Sequence, residues 1–206
     1  MSATPSQRPR FLVLDGVDGC GKSTQAALLV DALGSAEGAG PLHLREPGST
    51  RAGERIRTLL LDPDVPLHPA SEVLLFAAAR RQMLEELVRP ALAAGRDVVC
   101  ERFHASTFAY QAHAGELDEA SVLELLRRWC ADPSPDRVIV LDVEPARALE
   151  RSGGGADRFE GRGLAFQERV AEGYRRYAAL APDVVLIEGE GSREEVAARV
   201  LAEALR

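Results

Sequence analysis

Asparagine is absent from this chain of 206 residues, and lysine occurs only once among its 25 basic residues. Without asparagine, the chain cannot carry Asn-Lys-x-Asp, the motif with which GTP-binding switches read guanine. No apolar run approaches the roughly 18 residues that a transmembrane helix needs. The three cysteines and four histidines show no metal-binding spacing. These absences argue against a GTP-binding switch, a membrane protein and a cysteine- or histidine-based metal site.

The overall charge narrows the possible partners. The net charge is −7 and no basic stripe covers the chain, which argues against a nucleic-acid polymer. A mononucleotide needs only a local cluster of positive groups, so it stays possible.

The odd number of cysteines predicts reduced thiols in a cytoplasmic protein. Residues 1–10 are polar and contain two prolines, and they are predicted to be a disordered lead-in rather than a signal peptide.

The single lysine lies in a phosphate-binding motif. The segment 16–23 reads Gly-Val-Asp-Gly-Cys-Gly-Lys-Ser, a full match to G-x-x-x-x-G-K-[ST]. An apolar strand at 11–14 precedes it and a helical sequence follows it, which is the order that the motif requires. Lys22 is then expected to reach the β- and γ-phosphates of ATP, and the Ser23 hydroxyl to bind Mg²⁺. The predicted ATP-binding residues are Gly16, Val17, Asp18, Gly19, Cys20, Gly21, Lys22, Ser23 and Thr24.

The order of elements predicts the fold class. Apolar runs at 11–14, 42–44, 97–100, 137–143 and 184–187 alternate with helical patterns. The helical patterns cover 22–34, 51–61, 70–94, 105–112, 117–131, 145–152, 164–180 and 192–205. Pro90 is expected to kink or break the third of them. The alternation predicts one α/β domain at 11–206, with a mainly parallel sheet and a ligand site at the carboxyl ends of its strands.

Further polar clusters follow the predicted strands. Arg-Glu-Pro-Gly-Ser-Thr at 45–50 follows the second strand, and Glu-Arg-Phe at 101–103 ends the third, with Ala-Tyr-Gln at 109–111 beyond it. Phe76 and Arg80 lie one helical turn apart and could bind an aromatic base together. On spacing alone, however, a core aromatic and a solvated arginine are the simpler interpretation of that pair.

Taken in order, these motifs resemble the thymidylate kinases of the bacterial type. Asp-Arg-Phe-Glu at 157–160 adds a fifth motif, in the region (about 151–163) that this family uses as a lid. The resemblance runs from Phe11 to the last helix. It implies a P-loop NTPase-like fold of three layers, in which helices flank a five-stranded parallel sheet. It also implies ATP-dependent phosphorylation of dTMP to dTDP with Mg²⁺, and a homodimer.

The resemblance assigns roles to the matching residues. Asp18 would contact the deoxyribose 3′-hydroxyl, Phe76 would stack on the base and Arg80 would donate to thymine O4. Tyr110 would pack on the sugar and disfavour a 2′-hydroxyl. The substrate-binding residues implied are Asp18, Arg45, Glu46, Arg57, Phe76, Arg80, Arg102, Thr107, Tyr110 and Gln111. The catalytic residues implied are Lys22, Arg102, Arg158 and Asp18, and the Mg²⁺ ligands are Ser23 and Glu101.

Three positions depart from the family pattern. Glu101 stands where aspartate is usual, and one more methylene still allows it to hold Mg²⁺ through water. Gly19 stands where some members carry a catalytic arginine, so Arg158 of the lid is the expected substitute, with Arg151 and Arg162 behind it. A structural ion pair with Asp157 or Glu160 explains Arg158 equally well as a catalytic role does. Ser49 replaces a glycine, and a left-handed backbone there would cost on the order of 1 kcal/mol.

Other functions stay open at this point. Glu-Arg at 101–102 is also typical of deoxynucleoside kinases, although these lack Arg-Glu-Pro-Gly and have no need of several phosphate-binding arginines. Another nucleoside-monophosphate kinase is a second alternative. A non-catalytic nucleotide-binding module is a third, favoured by Glu101 and the short lid but disfavoured by the intact Lys22, Ser23 and Arg102.

Overall fold

The structure is a computed structural model that describes residues 8–34, 40–152, 159 and 162–206. Within these ranges, five parallel strands form one sheet in the order β2-β3-β1-β4-β5. The strands are β1 (Phe11–Asp15), β2 (Leu42–Arg45), β3 (Val98–Glu101), β4 (Arg137–Asp142) and β5 (Val184–Glu188). The prediction of a five-stranded parallel sheet flanked by helices is confirmed.

Nine α-helices are found in the described part of the chain. They are α1 (Lys22–Leu33), α2 (Arg51–Leu61), α3 (Pro69–Met83), α4 (Arg89–Ala93), α5 (His104–Thr107), α6 (Glu119–Cys130), α7 (Pro145–Ser152), α8 (Leu164–Leu180) and α9 (Arg193–Ala204). A π-helical turn, Leu84–Val88, joins α3 to α4 and ends two residues before Pro90. The regular helix predicted at 70–94 is therefore interrupted near the proline, which has no N–H to donate.

The central position of β1 in the sheet explains why its sequence is a nearly continuous apolar run. All five residues of β1 are buried, because neighbouring strands pair on both sides and helices cover both faces. Asp15 ends this strand and is fully buried, which is unusual for a carboxylate. The edge strand β2 instead exposes His43 and Arg45. The central strand therefore provides a rigid apolar base with a buried carboxylate at its carboxyl end.

The topology places the site between β1 and β3. These strands are neighbours, but the chain leaves β1 towards β2 and leaves β3 towards β4, in opposite directions. The loops after the two strands diverge and leave a crevice at their carboxyl ends, which is where ligands bind in open α/β sheets.

Hydrogen bonds and ion pairs hold the segment just before β1 against the rest of the domain. Arg10 donates from its backbone N–H and its guanidinium to Asp97, and Arg8 pairs with Asp136. These arginines fall in the segment 1–10 that the sequence predicts to be disordered; residues 1–7 lie outside the described residues. Among the helices that the structure describes, none is long and apolar enough to cross a membrane.

Candidate active site

The loop between β1 and α1 has the backbone of an anion-binding cradle. Gly16, Gly19 and Gly21 have φ angles of 136°, 79° and 96°, in the left-handed region that favours glycine. Helix α1 begins at Lys22, and among the described residues no side chain caps its N-terminus. Its first N–H groups stay available to an anion, and the helix dipole favours negative charge there. The predicted ATP-binding residues 16–24 thus form this loop and the first turn of α1.

Lys22 is folded back over the loop. Its Nζ donates to the carbonyl oxygens of Val17 and Gly16 at 2.8 and 3.1 Å, and it lies 3.9 Å from Asp18 Oδ1. The side chain is buried, so its charge is shielded from water and acts strongly on nearby groups. An ammonium held by neutral carbonyls can exchange them for the oxygens of a phosphate.

Ser23 and Glu101 meet at the start of α1 and the end of β3. Ser23 Oγ donates to Glu101 Oε2 at 2.5 Å, and His43 Nε2 lies 2.9 Å from Glu101 Oε1. A hydroxyl and a carboxylate are the oxygen ligands that Mg²⁺ prefers when phosphates and waters complete its shell. No cluster of three or more acidic, histidine or cysteine residues in the described ranges forms a self-contained metal site. The donor set therefore fits a Mg²⁺ that arrives with a nucleotide.

Arg102 and Asp18 form an ion pair across the crevice. The Arg102 guanidinium contacts the Asp18 carboxylate and also donates to Ser106 Oγ at 2.9 Å. Burial would raise the pKa of Asp18, but the charges of Arg102 and Lys22 outweigh it and hold that pKa below its usual value. Burial likewise would lower the pKa of Arg102, but Asp18 above all keeps it raised. Both groups are therefore charged at neutral pH.

The buried carboxylate of Asp15 organises this region and was missed by the sequence analysis. It accepts hydrogen bonds from the backbone N–H groups of Gly16, Phe103 and Ser106 at 3.0 to 3.1 Å. It also accepts from the Ser106 and Tyr174 hydroxyls at 2.6 and 2.7 Å. The only available signal was a single acidic residue at the end of an apolar strand.

A cleft next to this ion pair is the candidate mononucleotide site. It is open on one side to solvent, and its space of about 590 Å³ includes part of that solvent. Every predicted substrate residue except Arg45 lines it: Asp18, Glu46, Arg57, Phe76, Arg80, Arg102, Thr107, Tyr110 and Gln111. Phe159 also lines it, with its ring 6.1 Å from those of Phe76 and Tyr110.

The floor of the cleft is a buried ion pair between Arg80 and Glu46. Arg80 Nε lies 2.7 Å from Glu46 Oε2, and Arg80 Nη2 donates to the Phe103 carbonyl and to Thr107 Oγ1. Among the described residues, Arg80 Nη1 and Glu46 Oε1 are buried without a hydrogen-bond partner. Burial raises the pKa of Glu46 to about 7, although Arg80 opposes the shift. Unpaired buried polar atoms are costly, so this pair is suited to a polar ligand edge.

Gln111 reaches a second buried carboxylate. Its Nε2 donates to Glu72 Oε2 at 3.1 Å, and Arg162 Nη2 pairs with Glu72 Oε1 at 3.4 Å. Arg162 also lies over the rings of Phe159 and Phe166. Sequence analysis gave Glu72 no role, because nothing in its local sequence shows that α3 brings it against the π-helical turn Phe108–His113.

Two arginines of the Arg-Glu-Pro-Gly region lie apart. Arg57 lines the cleft and donates to the Pro47 carbonyl at 3.0 Å. Arg45 is exposed and lies 3.8 Å from Glu54, outside the cleft. Between them, Ser49 has a φ of 65°, the left-handed backbone anticipated above. Its Oγ accepts from the Arg45 N–H at 2.9 Å and donates to the Arg45 carbonyl at 3.1 Å, which offsets part of the strain.

The structure explains why Gly19 cannot be an arginine in this chain. A Cβ at Gly19 would lie 1.9 Å from the Ala148 carbonyl oxygen of α7. Of the arginines considered as substitutes, Arg151 pairs with Glu190 at 3.0 Å and Arg162 with Glu72. Arg158, the preferred candidate, lies outside the described residues.

Comparison with known proteins identifies the family of this chain. The family model described as thymidylate kinase matches residues 14–200. The chain belongs to the thymidylate kinase family. It is 44% identical over 180 residues to the thymidylate kinase of Jannaschia sp., covering 85% of each chain. It is 43% identical over 203 residues to that of Dinoroseobacter shibae, covering 96% of this chain and 97% of the other.

A solved structure of the same family agrees with the fold. The crystal structure of thymidylate kinase from Ehrlichia chaffeensis matches with a TM-score of 0.79 and 28% identity. The match covers 97% of this chain and all of the other. The thymidylate kinase architecture therefore extends over nearly the whole chain.

Proposed function

We propose that this site transfers the γ-phosphate of ATP to dTMP, giving ADP and dTDP. The observation that carries the proposal is that Asp18 and Arg102 belong both to the phosphate-loop region and to the wall of the mononucleotide cleft. A donor phosphate on the loop and an acceptor phosphate in the cleft would therefore meet at these two residues. Family membership over residues 14–200 supports the same reaction.

The chemistry follows from charge and position. An oxygen of the dTMP phosphate forms a bond to the γ-phosphorus while the bond to the β,γ-bridging oxygen breaks. Two polyanions repel each other, so Lys22 and Arg102 neutralise the charge between them, with Arg57 at the acceptor end. Ser23 and Glu101 would hold the Mg²⁺ that accompanies ATP, and the metal would supply further positive charge for the transfer. Little covalent work remains for the protein beyond alignment.

The cleft supports recognition of a thymine deoxynucleotide. The Phe76 ring offers a stacking surface. Arg80 Nη1, which has no hydrogen-bond partner among the residues that the structure describes, offers a donor to the O4 of the base. Tyr110 donates to Asp18 Oδ2 at 2.7 Å, which fixes both groups where the sugar would lie. We assign the 3′-hydroxyl to Asp18 and discrimination against a 2′-hydroxyl to Tyr110.

A nucleoside kinase is less well supported. A nucleoside acceptor carries no phosphate, yet Arg57 and Arg102 both line the acceptor cleft. The Arg-Glu-Pro-Gly segment also provides Glu46, the partner of Arg80. The two arginines suit an acceptor that is itself a phosphate ester, whereas Glu46 and Arg80 serve the base.

We further propose a cytoplasmic homodimer. Leu74 of α3 and Trp129 of α6 are each 59% exposed, and Arg81 donates to the Trp129 carbonyl, so these residues form one surface. Leu59 of α2 is 38% exposed, and a second copy would cover such apolar side chains. Cys20, Cys100 and Cys130 are free and buried, as expected in a reducing compartment. Gel filtration of Trp129→Glu, expected to elute as a monomer, tests the dimer.

The reaction is tested by ADP production with ATP and Mg²⁺ against dTMP, dUMP, thymidine and no acceptor. Turnover with dTMP far above thymidine is expected. Turnover with thymidine alone would instead assign a nucleoside kinase and remove the acceptor-phosphate role from Arg57 and Arg102. If none of the tested acceptors gave turnover above background, only the nucleotide-binding module would remain as an interpretation.

A further inference from the structure

Both oxygens of the Glu101 carboxylate are occupied, each by a different element of the fold. Oε2 accepts from Ser23 Oγ at 2.5 Å, and Oε1 lies 2.9 Å from His43 Nε2. A carboxylate oxygen accepts hydrogen bonds, so we assign His43 Nε2 as the donor in this contact. The Glu101 side chain is only 14% exposed, while that of His43 is 36% exposed. The carboxylate is thus held from both sides at the edge of the phosphate loop.

The strand register makes this contact possible. Arg45 of β2 is in register with Glu101 of β3, and His43 with Val99. Side chains alternate along a strand, so His43 and Arg45 share the outer face of β2, and His43 reaches Glu101 diagonally. Glutamate has one more rotatable bond than aspartate, and fixing it costs side-chain entropy. A hydrogen bond to Oε1 restricts the torsion that decides where Oε2 points.

We propose that His43 is a positioning residue for the Mg²⁺·ATP site. It holds the Glu101 carboxylate so that Oε2 faces Ser23 Oγ, and thereby supports metal binding without touching metal or nucleotide. The inference rests on the proposed function, which assigns Ser23 and Glu101 to Mg²⁺. Hydrogen bonds from an outer group to a metal-binding carboxylate typically change metal affinity by about 10- to 100-fold.

The test is the affinity of Mn²⁺ for the full chain with a non-hydrolysable ATP analogue, followed by electron paramagnetic resonance. His43→Leu removes the donor and is expected to weaken Mn²⁺ binding about tenfold. His43→Gln keeps an N–H donor of similar reach and is the matched control, expected to lie within about threefold of wild type, well short of that range. Affinity for the ATP analogue without metal is expected to be equal in all three proteins.

A second background shows whether the effect passes through Glu101. Aspartate at this position is one methylene shorter and cannot bridge Ser23 and His43 as the glutamate does. In Glu101→Asp, adding His43→Leu is therefore expected to change Mn²⁺ affinity by less than about twofold, because the coupling between the two sites is lost. An undiminished tenfold effect in that background would overturn the inference.

The remaining outcomes separate this inference from the proposed reaction. Unchanged Mn²⁺ affinity in His43→Leu would overturn the positioning role while leaving the metal ligands and the reaction as proposed. Unchanged affinity in Glu101→Gln would overturn both the metal assignment and the role of His43. Turnover of wild type with dTMP is measured separately and tests the reaction alone.

Discussion

The Tyr174 hydroxyl donates to Asp15 Oδ1 at 2.7 Å and accepts from Arg102 Nη1 at 3.3 Å. Tyr174 lies in α8, whereas Asp15 ends β1 and Arg102 follows β3. One buried hydroxyl therefore connects the central strand of the sheet with the arginine that faces the acceptor cleft. Arg102 needs such support, because its φ of 70° is a strained backbone conformation for a residue other than glycine.

Tyr174→Phe is expected to lower kcat on the order of tenfold, with a smaller change in KM for dTMP. The variant leaves Arg102 without one partner, so its alignment is less exact during transfer. Loss of the buried hydrogen bonds to Asp15 and Arg102 also lowers the free energy of unfolding, by about 1 to 3 kcal/mol. Steady-state kinetics and urea unfolding measure both effects. Tyr177→Phe, in the same helix but packed on Phe108, is the control, and an equal loss of kcat there would contradict the role.

Lys22→Ala is expected to abolish turnover while the chain stays folded. Lys22→Arg is expected to fail as well, because a planar guanidinium cannot replace a compact ammonium that sits between the Gly16 and Val17 carbonyl groups. ADP production and circular dichroism are the measurements. A folded Lys22→Ala protein with the wild-type rate would refute the phosphate-loop assignment.

Gly19→Ala is expected to destabilise the protein more than Gly21→Ala. Both glycines have positive φ, so both variants pay a backbone cost of about 1 to 2 kcal/mol. Only at Gly19 would the new Cβ meet the Ala148 carbonyl, since nothing lies within 4 Å of a Cβ at Gly21. The melting temperatures of Gly19→Ala and Gly21→Ala separate the backbone strain, which both variants share, from the steric clash, which only Gly19→Ala has. Equal melting temperatures would mean that α7 yields, and that the loop could accept the arginine that other family members carry.

Ser49→Ala is expected to destabilise the protein, whereas Ser49→Gly is expected to be about as stable as wild type. Alanine keeps the left-handed strain and loses the two hydrogen bonds to Arg45, which costs about 1 kcal/mol at this solvent-accessible site. Glycine loses the same bonds but relieves about 1 kcal/mol of strain, so its stability should be close to wild type. Urea unfolding of wild type, Ser49→Ala and Ser49→Gly gives the free energies of unfolding that test this expectation. A glycine variant as unstable as the alanine variant would show that the strain is negligible.

Arg158→Ala is expected to lower kcat more than it weakens dTMP binding, if the lid supplies the catalytic arginine. Arg151→Ala is the comparison, because Arg151 is paired with Glu190 on the surface and should change kcat little. Kinetics combined with calorimetric dTMP affinity makes the distinction. A drop in kcat for Arg151→Ala with none for Arg158→Ala would move the catalytic role to α7.

The sequence by itself determined the features that are local. The phosphate loop, the strand before it and the helix after it are contiguous, so their glycines and their single lysine predict the cradle directly. The alternation of strands and helices likewise predicted the parallel sheet, because a buried central strand must be a continuous apolar run. Phe76 and Arg80, one helical turn apart, line one cleft, but a shared role at the base was predicted only through the resemblance, since spacing favoured a simpler interpretation.

The tertiary structure decided what depends on residues far apart in the chain. Asp15 and Tyr174 are 159 positions apart, and no local pattern indicates that their hydrogen bond supports Arg102. The exposure of Arg45 could not be predicted from the sequence either, since an arginine at the end of a strand can face the crevice or the solvent. His43 acquires its partner only because β2 pairs with β3 in one register. Motifs are read within a few residues, whereas burial, register and charge pairing are set when distant segments pack together.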